Sequence, residues 1–274
     1  MLPCQWRTRG GICQLSHVGT SLPTPVACRK HSCGNGLSEN PTSKRSSGSL
    51  ETVAIIDFET TGLSPNEGER ATEIAAIVLQ DGRVVRQYQS LMNAGIRISS
   101  FITSLTGITN QMVQQAPPAA RVMGEVADFV GDLPLVAHNA SFDRKFWDAE
   151  LARIGRTRQQ EFACTMLTAR RVYPTSPNHK LGTLAAWMQL PDTGKSHRAM
   201  ADAEMTAHLL CHIETTLVER FKIPRLSHAL LRALQQVKSS EIRSCIEQFL
   251  MLPAPHTPIS HGVIPESKAS VTLS

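Results

Sequence analysis

Two periods of apolar residues, one of 2.0 and one of 3.6, divide this chain into strands and helices. The run VAIIDF (53–58) reads as a buried strand. ATEIAAIVL (71–79) and RVVRQYQSL (83–91) read as two more, joined at Asp81-Gly82, a dipeptide suited to a tight hairpin. Three strands in quick succession predict an antiparallel start. Helical spacing follows, with Val122, Val126, Phe129 and Val130 at i, i+4, i+7 and i+8. LPLVAH (133–138) is a short buried strand, and helices are expected over 141–154, 164–172, 181–189 and about 198–219. Strands first, then β–α alternation, predict an α/β fold. Its mixed sheet would be antiparallel in its first strands, then parallel, and flanked by helices.

Two further stripes follow. Leu226, Leu230, Leu234 and Val237 share one helical face, and Ile242, Cys245, Ile246, Phe249 and Leu250 share another. They predict a helical extension over 221–251 that packs on the main domain (51–220) or on a partner. Residues 252–274, with their Pro and Ser, read as a flexible tail. Residues 1–50 are rich in Gly, Ser, Pro and Cys without a sustained period, and read as a disordered extension. Few acids and several Arg and Ser resemble an organelle transit peptide, but no amphipathic helix is evident. An extension without a folded role is the expectation.

Charge changes the picture of substrate binding. The excess of +5 lies entirely in residues 1–50, which hold six of the 28 basic groups and one of the 23 acids. The remainder balances, so an anionic substrate must be held by a local site rather than by bulk charge. Cys4, Cys13, Cys28 and Cys33, with His17 and His31, raise a zinc reading. Irregular spacing without a CxxC pair argues against it, and a reduced, flexible segment is expected. The chain shows no secretory signal and no apolar run of about 18 residues, so a cytoplasmic protein without a membrane span is expected.

The candidate chemistry sits where strands end. In VAIIDFETTGL (53–63), side-chain alternation puts Val53, Ile55, Asp57 and Glu59 on one strand face. Two like charges so placed repel and raise each other's pKa. A divalent cation relieves this, and hard carboxylate oxygens suit Mg²⁺ or Mn²⁺. A strand end emerging into water would also tolerate the pair. Thr60-Thr61-Gly62 turns the chain and can offer N–H groups to an anion. Asp143, in VAHNASFDRKFW, falls in the first turn of a helix after a buried strand. The helix dipole alone favours an acid there, yet strand ends are where open α/β sheets gather their sites. His138 reads as a hydrogen-bonded structural residue, and Asn139 as a turn or cap. In SHRAMADAEMTAHLL (196–210), Asp202 shares a core-facing stripe with Met205, Thr206, Leu209 and Ile213. An acid there needs a partner or a cation. Glu204 lies off the stripe and reads as solvated. His197, five residues before Asp202, brings an imidazole that can accept a proton near neutrality.

Together these motifs resemble the DEDDh exonucleases, the family of the proofreading epsilon subunit of bacterial DNA polymerase III. The D-x-E motif matches Asp57-Phe58-Glu59, the second acid matches Asp143 within HNASFD, and H-x4-D matches His197 and Asp202. LTGIT (105–109) and CTMLTARRVYPTSPNHKLGTLA are also similar to epsilon-type segments, and the resemblance covers about residues 52–217. It implies a ribonuclease H-like fold and 3′→5′ removal of nucleoside 5′-monophosphates from single-stranded DNA. It implies two Mg²⁺ or Mn²⁺ ions on Asp57, Glu59, Asp143 and Asp202, with His197 as general base. It implies substrate contacts at Phe58, Thr60, Thr61, Leu63, His138 and Asn139, with Leu63 near the terminal base. A polymerase or another replication or repair protein is an expected partner through the C-terminal helices. A ribonuclease T-like exoribonuclease, or a non-catalytic nucleic-acid-binding protein on the same fold, are the alternatives.

Overall fold

The computed structural model describes residues 50–251. The readings of the basic extension, its cysteines and the C-terminal tail lie outside these residues. A five-stranded mixed sheet has the order β3-β2-β1-β4-β5. β1 (Val53–Thr60), β2 (Ala71–Gln80) and β3 (Arg83–Leu91) form the expected antiparallel start. Asp81 and Gly82 both take positive φ, 51° and 69°, as a two-residue hairpin turn requires. β4 (Leu135–Ala137) and β5 (Phe162–Cys164) add in parallel on the other side of β1.

β1 is central, and its alternation feeds two cores. Val53 and Ile55 pack with Ala203, Leu210 and Ile213 of the long helix α7 (Ala199–Phe221). Ala54, Ile56 and Phe58 pack with α3 (Ala119–Val130) and α4 (Ala140–Arg153) on the opposite face. Covering both faces explains why β1 and β2 read as nearly unbroken apolar runs. An acid within such a run is therefore exceptional, and Asp57, Glu59 and Glu73 are the three that β1 and β2 carry.

Two short helices, α1 (Ser100–Thr106) and α2 (Asn110–Gln114), escaped the sequence reading. They are too short for a 3.6-residue period to register. Their caps were nonetheless written in the sequence, because the Ser99 and Thr109 side chains accept from Ile102 N and Met112 N. β5 was also missed. Its last residue, Cys164, falls within the helix expected over 164–172, which begins at Thr165 as α5 (Thr165–Val172). α6 (Leu181–Met188) follows as expected.

The C-terminal stripes form α8 (His228–Leu234) and α9 (Ile242–Met251), and they pack on the domain itself. Leu226, Leu230, Leu231, Leu234, Ile242 and Ile246 are buried in the same core as Val53 and Ile55. Polar bonds fix this docking. His228 N–H donates to Glu51 Oε2 at 2.7 Å, and His228 Nε2–H donates to Leu135 O at 2.9 Å. Val237 falls outside α8, and Leu250 is exposed. Among the described residues, no helix is long and apolar enough to cross a membrane.

Candidate active site

β1 and β4 run parallel, so their carboxyl ends open on the same edge of the molecule. Asp57 and Glu59 lie at that end of β1. Asp143 lies in the first turn of α4, just beyond β4, and is 2% exposed. Its Oδ1 accepts the backbone N–H of Phe58 at 3.2 Å, placing it between the two β1 acids. Asp202 arrives in the first turn of α7. Its Oδ2 accepts the backbone N–H of His197 at 3.1 Å. Ligand atoms of Glu59, His197 and Asp202 lie within 4.8 Å of one another.

Four carboxylates thus share one partly dry volume. Burial pushes Asp57 well above its usual range, and the charges of Asp143, Asp202 and Glu59 push it further. Burial lifts Glu59 to about 8, aided by Asp202, Glu73 and Asp143, while Arg198 pulls it down. Burial lifts Asp143 to about 8 against the hydrogen bond from Phe58 N. Asp202 is raised by burial and lowered by its bond to His197 N. Every shift opposes ionisation, and no cationic side chain sits among the four to compensate fully. Acids buried without sufficient counter-charge fit a cation-binding cluster of hard oxygen donors. A divalent cation held by these oxygens would supply the missing charge.

The surrounding residues divide by whether their polar atoms are already engaged. The Phe58 side chain faces the core and meets Trp147 edge-on, with centroids 6.3 Å apart. Phe58 meets the acid cluster through its N–H, which Asp143 accepts. His138 is hydrogen-bonded through both ring nitrogens, as its structural reading expects. Its Nε2–H donates to His179 O at 3.0 Å, and Nδ1 pairs with the Thr165 hydroxyl at 2.9 Å. Burial holds it neutral, with a pKa pushed down to about 4. Thr61 is also occupied. Its N–H donates to Arg70 O at 2.9 Å, and its hydroxyl donates to Glu69 while accepting from Arg70 N. The anion-holding turn expected at Thr60–Gly62 therefore does not use the Thr61 N–H. Thr60 donates its hydroxyl to Gly62 O at 2.6 Å, closing the loop on itself. A side chain at Gly62 would collide with Glu69, its Cβ falling 2.5 Å from Glu69 Cδ. That close approach explains the glycine.

Leu63 and Asn139 keep exposed side chains, with Asn139 Oδ1 accepting from the Ser141 hydroxyl at 3.4 Å. Leu63 is 77% exposed, and Lys145 Nζ donates to its carbonyl at 3.4 Å. Asn139 is exposed at the α4 N-cap in the left-handed region, φ 67°, which Asn tolerates, and its side chain makes no capping bond. His197 is also exposed and left-handed, with φ 61°. Glu204, expected in water, is half-buried and accepts from Gln87 Nε2 at 3.1 Å.

One acid was overlooked. Glu73 stands directly opposite Glu59 in the β1–β2 ladder and is 1% exposed. Arg198 pairs with it at 2.8 Å, and this bidentate contact keeps Glu73 ionised, its pKa lowered despite burial. The signal was present in the sequence. Glu73 is an acid inside ATEIAAIVL, as anomalous as Asp57 in its own strand.

A family model described as an exonuclease (RNase_T) matches residues 54–210, and the chain belongs to this exonuclease family. The region is 34% identical over 197 residues to the 3′-5′ exonuclease DinG of Bacillus subtilis (strain 168), covering 72% of this chain and 21% of that protein. It is 36% identical over 165 residues to a PolC-type DNA polymerase III of Caldanaerobacter subterraneus subsp. tengcongensis, covering 60% of this chain and 12% of the polymerase. The chain thus spans 21% and 12% of the length of these curated relatives. Among solved structures, the nuclease domain of 3′hExo, a DEDDh family member, bound to rAMP, superposes with a TM-score of 0.53 at 19% identity. That match covers 62% of this chain and 93% of the other, and it shows a shared fold.

Proposed function

We propose that this protein is a metal-dependent 3′→5′ exonuclease that releases nucleoside 5′-monophosphates from single-stranded DNA 3′ ends, in a proofreading or repair role. The observation that carries this reading is the cluster of Asp57, Glu59, Asp143 and Asp202, buried or half-buried together with their ionisation opposed, beside an exposed imidazole. Family membership and relatives that include a 3′-5′ exonuclease and PolC-type polymerases support it.

In this reading the four carboxylates hold two Mg²⁺ or Mn²⁺ ions. When bound, the ions neutralise charge on the phosphate and activate water. The chain's own residues do the rest. His197 takes the proton of the attacking water, since its exposed ring can reach bulk solvent to discard it. Phe58 N–H fixes Asp143 against β1, so the acids keep their spacing through turnover. Leu63 supplies an exposed apolar surface beside the cluster for the terminal base. Positioning and electrostatics carry most of the rate enhancement in phosphoryl chemistry, which suits a site built from rigid strand and helix ends. A polymerase or repair partner at the C-terminal helices would meet their outward residues, exposed Leu250 among them, because Leu230, Leu234, Ile242 and Ile246 are buried against the domain.

The test is a product assay on 3′-labelled and 5′-labelled single strands, with Mg²⁺ or with EDTA. Labelled mononucleotide from the 3′ label, and a ladder from the 5′ label, are expected only with Mg²⁺. A matched RNA strand run beside the DNA decides the substrate. No hydrolysis of either strand, or products released from the 5′ end, would overturn the proposal.

A further inference from the structure

His197 takes a left-handed backbone conformation, sparsely populated by residues other than glycine, and its surroundings hold it there. Those surroundings converge on Glu73. Arg198, the next residue, sends Nε and Nη2 to Glu73 Oε2 and Oε1 at 3.0 and 2.8 Å. Ala199, the first residue of α7, donates its N–H to Glu73 Oε2 at 3.2 Å. Gln89 of β3 donates to Glu73 Oε1 at 2.9 Å. The carboxylate therefore accepts four bonds and is fully engaged.

The helix needs this help. Arg198 is the α7 N-cap and makes no capping bond of its own. An N-terminal helix turn leaves N–H groups without partners, and a carboxylate satisfies them best. Glu73 acts as that cap from the sheet. It is anchored in β2, opposite Glu59, while Glu59 sits beside His197 and Asp202. One rigid residue thus ties the end of the H-x4-D turn to the strand pair that carries the first acids.

We propose that Glu73 and Arg198 are positioning residues whose ion pair holds the His197 turn in its working conformation, an assignment that rests on His197 acting as the general base. Neither residue needs to touch substrate. Arg198 is 33% exposed and can release into water when Glu73 loses its charge, so Glu73→Gln removes the clamp without trapping a buried cation. Arg198→Lys keeps a charge but loses the planar fork that makes two parallel bonds.

The experiment is a double-mutant cycle on the full chain with a single-stranded oligonucleotide and saturating Mg²⁺. Glu73→Gln and Arg198→Lys are each expected to lower kcat roughly 10–100-fold, as small misplacement of a reacting group does, with KM within about threefold. In a His197→Ala background, neither change should lower kcat further, because the group they position is gone. A merely structural role would instead give losses that multiply with His197→Ala. Multiplied losses, an unchanged kcat, or an effect confined to KM each overturn the proposal. So does failure of both variants to fold at 25 °C, which would make the pair a folding element. Inactive wild type, or His197→Ala with wild-type kcat, would instead overturn the catalytic reading beneath it.

Discussion

Asp143 is joined to the backbone of Phe58 by a 3.2 Å hydrogen bond that spans 85 residues of chain. The bond falls between Asp57 and Glu59, so the acid of α4 is locked into the spacing of β1. Asp143→Asn keeps the acceptor oxygen and removes the charge. Turnover is expected to fall below detection, with a melting temperature equal to or above that of the parent. Asp57→Asn should behave alike. Initial rates of the purified variants with Mg²⁺ check this, and retained turnover in either one would break the four-acid assignment.

The cluster also predicts how stability responds to pH. Glu59 and Asp143 sit at about 8 in the folded chain, against ordinary values of 4.5 and 3.8. A raised carboxyl stabilises fully below its unfolded pKa, and that contribution is lost as pH rises through the folded value. Metal-free protein in EDTA should therefore melt at lower temperature at pH 8.5 than at pH 6.5. Glu214, half-buried and raised to about 7, shifts in the same direction. The comparison with Mg²⁺ isolates the cluster. Saturating Mg²⁺ at about 100 times its Kd adds about 2.7 kcal/mol, so melting should rise by several degrees at pH 8.5. Identical melting curves with and without Mg²⁺ would contradict cation binding there.

His197 makes a separable contribution. General-base catalysis contributes about 10²–10⁴-fold, and His197→Ala should cost that much in kcat while Mg²⁺ still shifts the melting temperature. A base acts in its neutral form, so the acidic limb of the rate profile should flatten with the imidazole removed. Comparison of both profiles at saturating Mg²⁺ decides it. A variant with parental kcat and an unchanged acidic limb would leave His197 a bystander.

Leu63 tests the substrate side. Its exposed side chain contributes nothing to the core, so Leu63→Ala should leave melting within about 0.5 kcal/mol of the parent. An apolar contact of this size to a base is worth about 1–3 kcal/mol, which predicts a KM raised about tenfold at nearly constant kcat. Steady-state kinetics on a short oligonucleotide measure both. An unchanged KM would place the terminal base elsewhere.

The carboxylates were legible because each broke a local rule. Asp57 and Glu59 interrupt a buried run, and Asp202 lies on a core-facing stripe. Asp143 was ordinary for a helix start and became informative only through its place after β4. Glu73 broke the same rule as Asp57, yet its meaning depends on Arg198, 125 residues later, and no local pattern carries that pairing. The partners of His138 and Thr61 were hidden for a related reason. Residue type and position advertise a polar group, but only the fold reveals that His179 and Arg70 already use it. The short elements α1, α2 and β5 were invisible to periodicity because they hold fewer than two full repeats of a helical stripe, or three strand residues.

The Gln235 side chain, just past α8, accepts the N–H of Cys164 at 2.9 Å, on the outer strand of the sheet. β5 is an edge strand, and unpaired edges recruit other chains. Here the C-terminal helices cover the edge and occupy one of its donors. A fragment ended at residue 220, near the limit of the matched region, would lose that guard together with six buried apolar side chains from Leu226 to Ile246. It would keep all four acids and His197, and yet present a sticky seam of strand and aliphatic surface. Aggregation, rather than loss of chemistry, is the failure such a truncation invites.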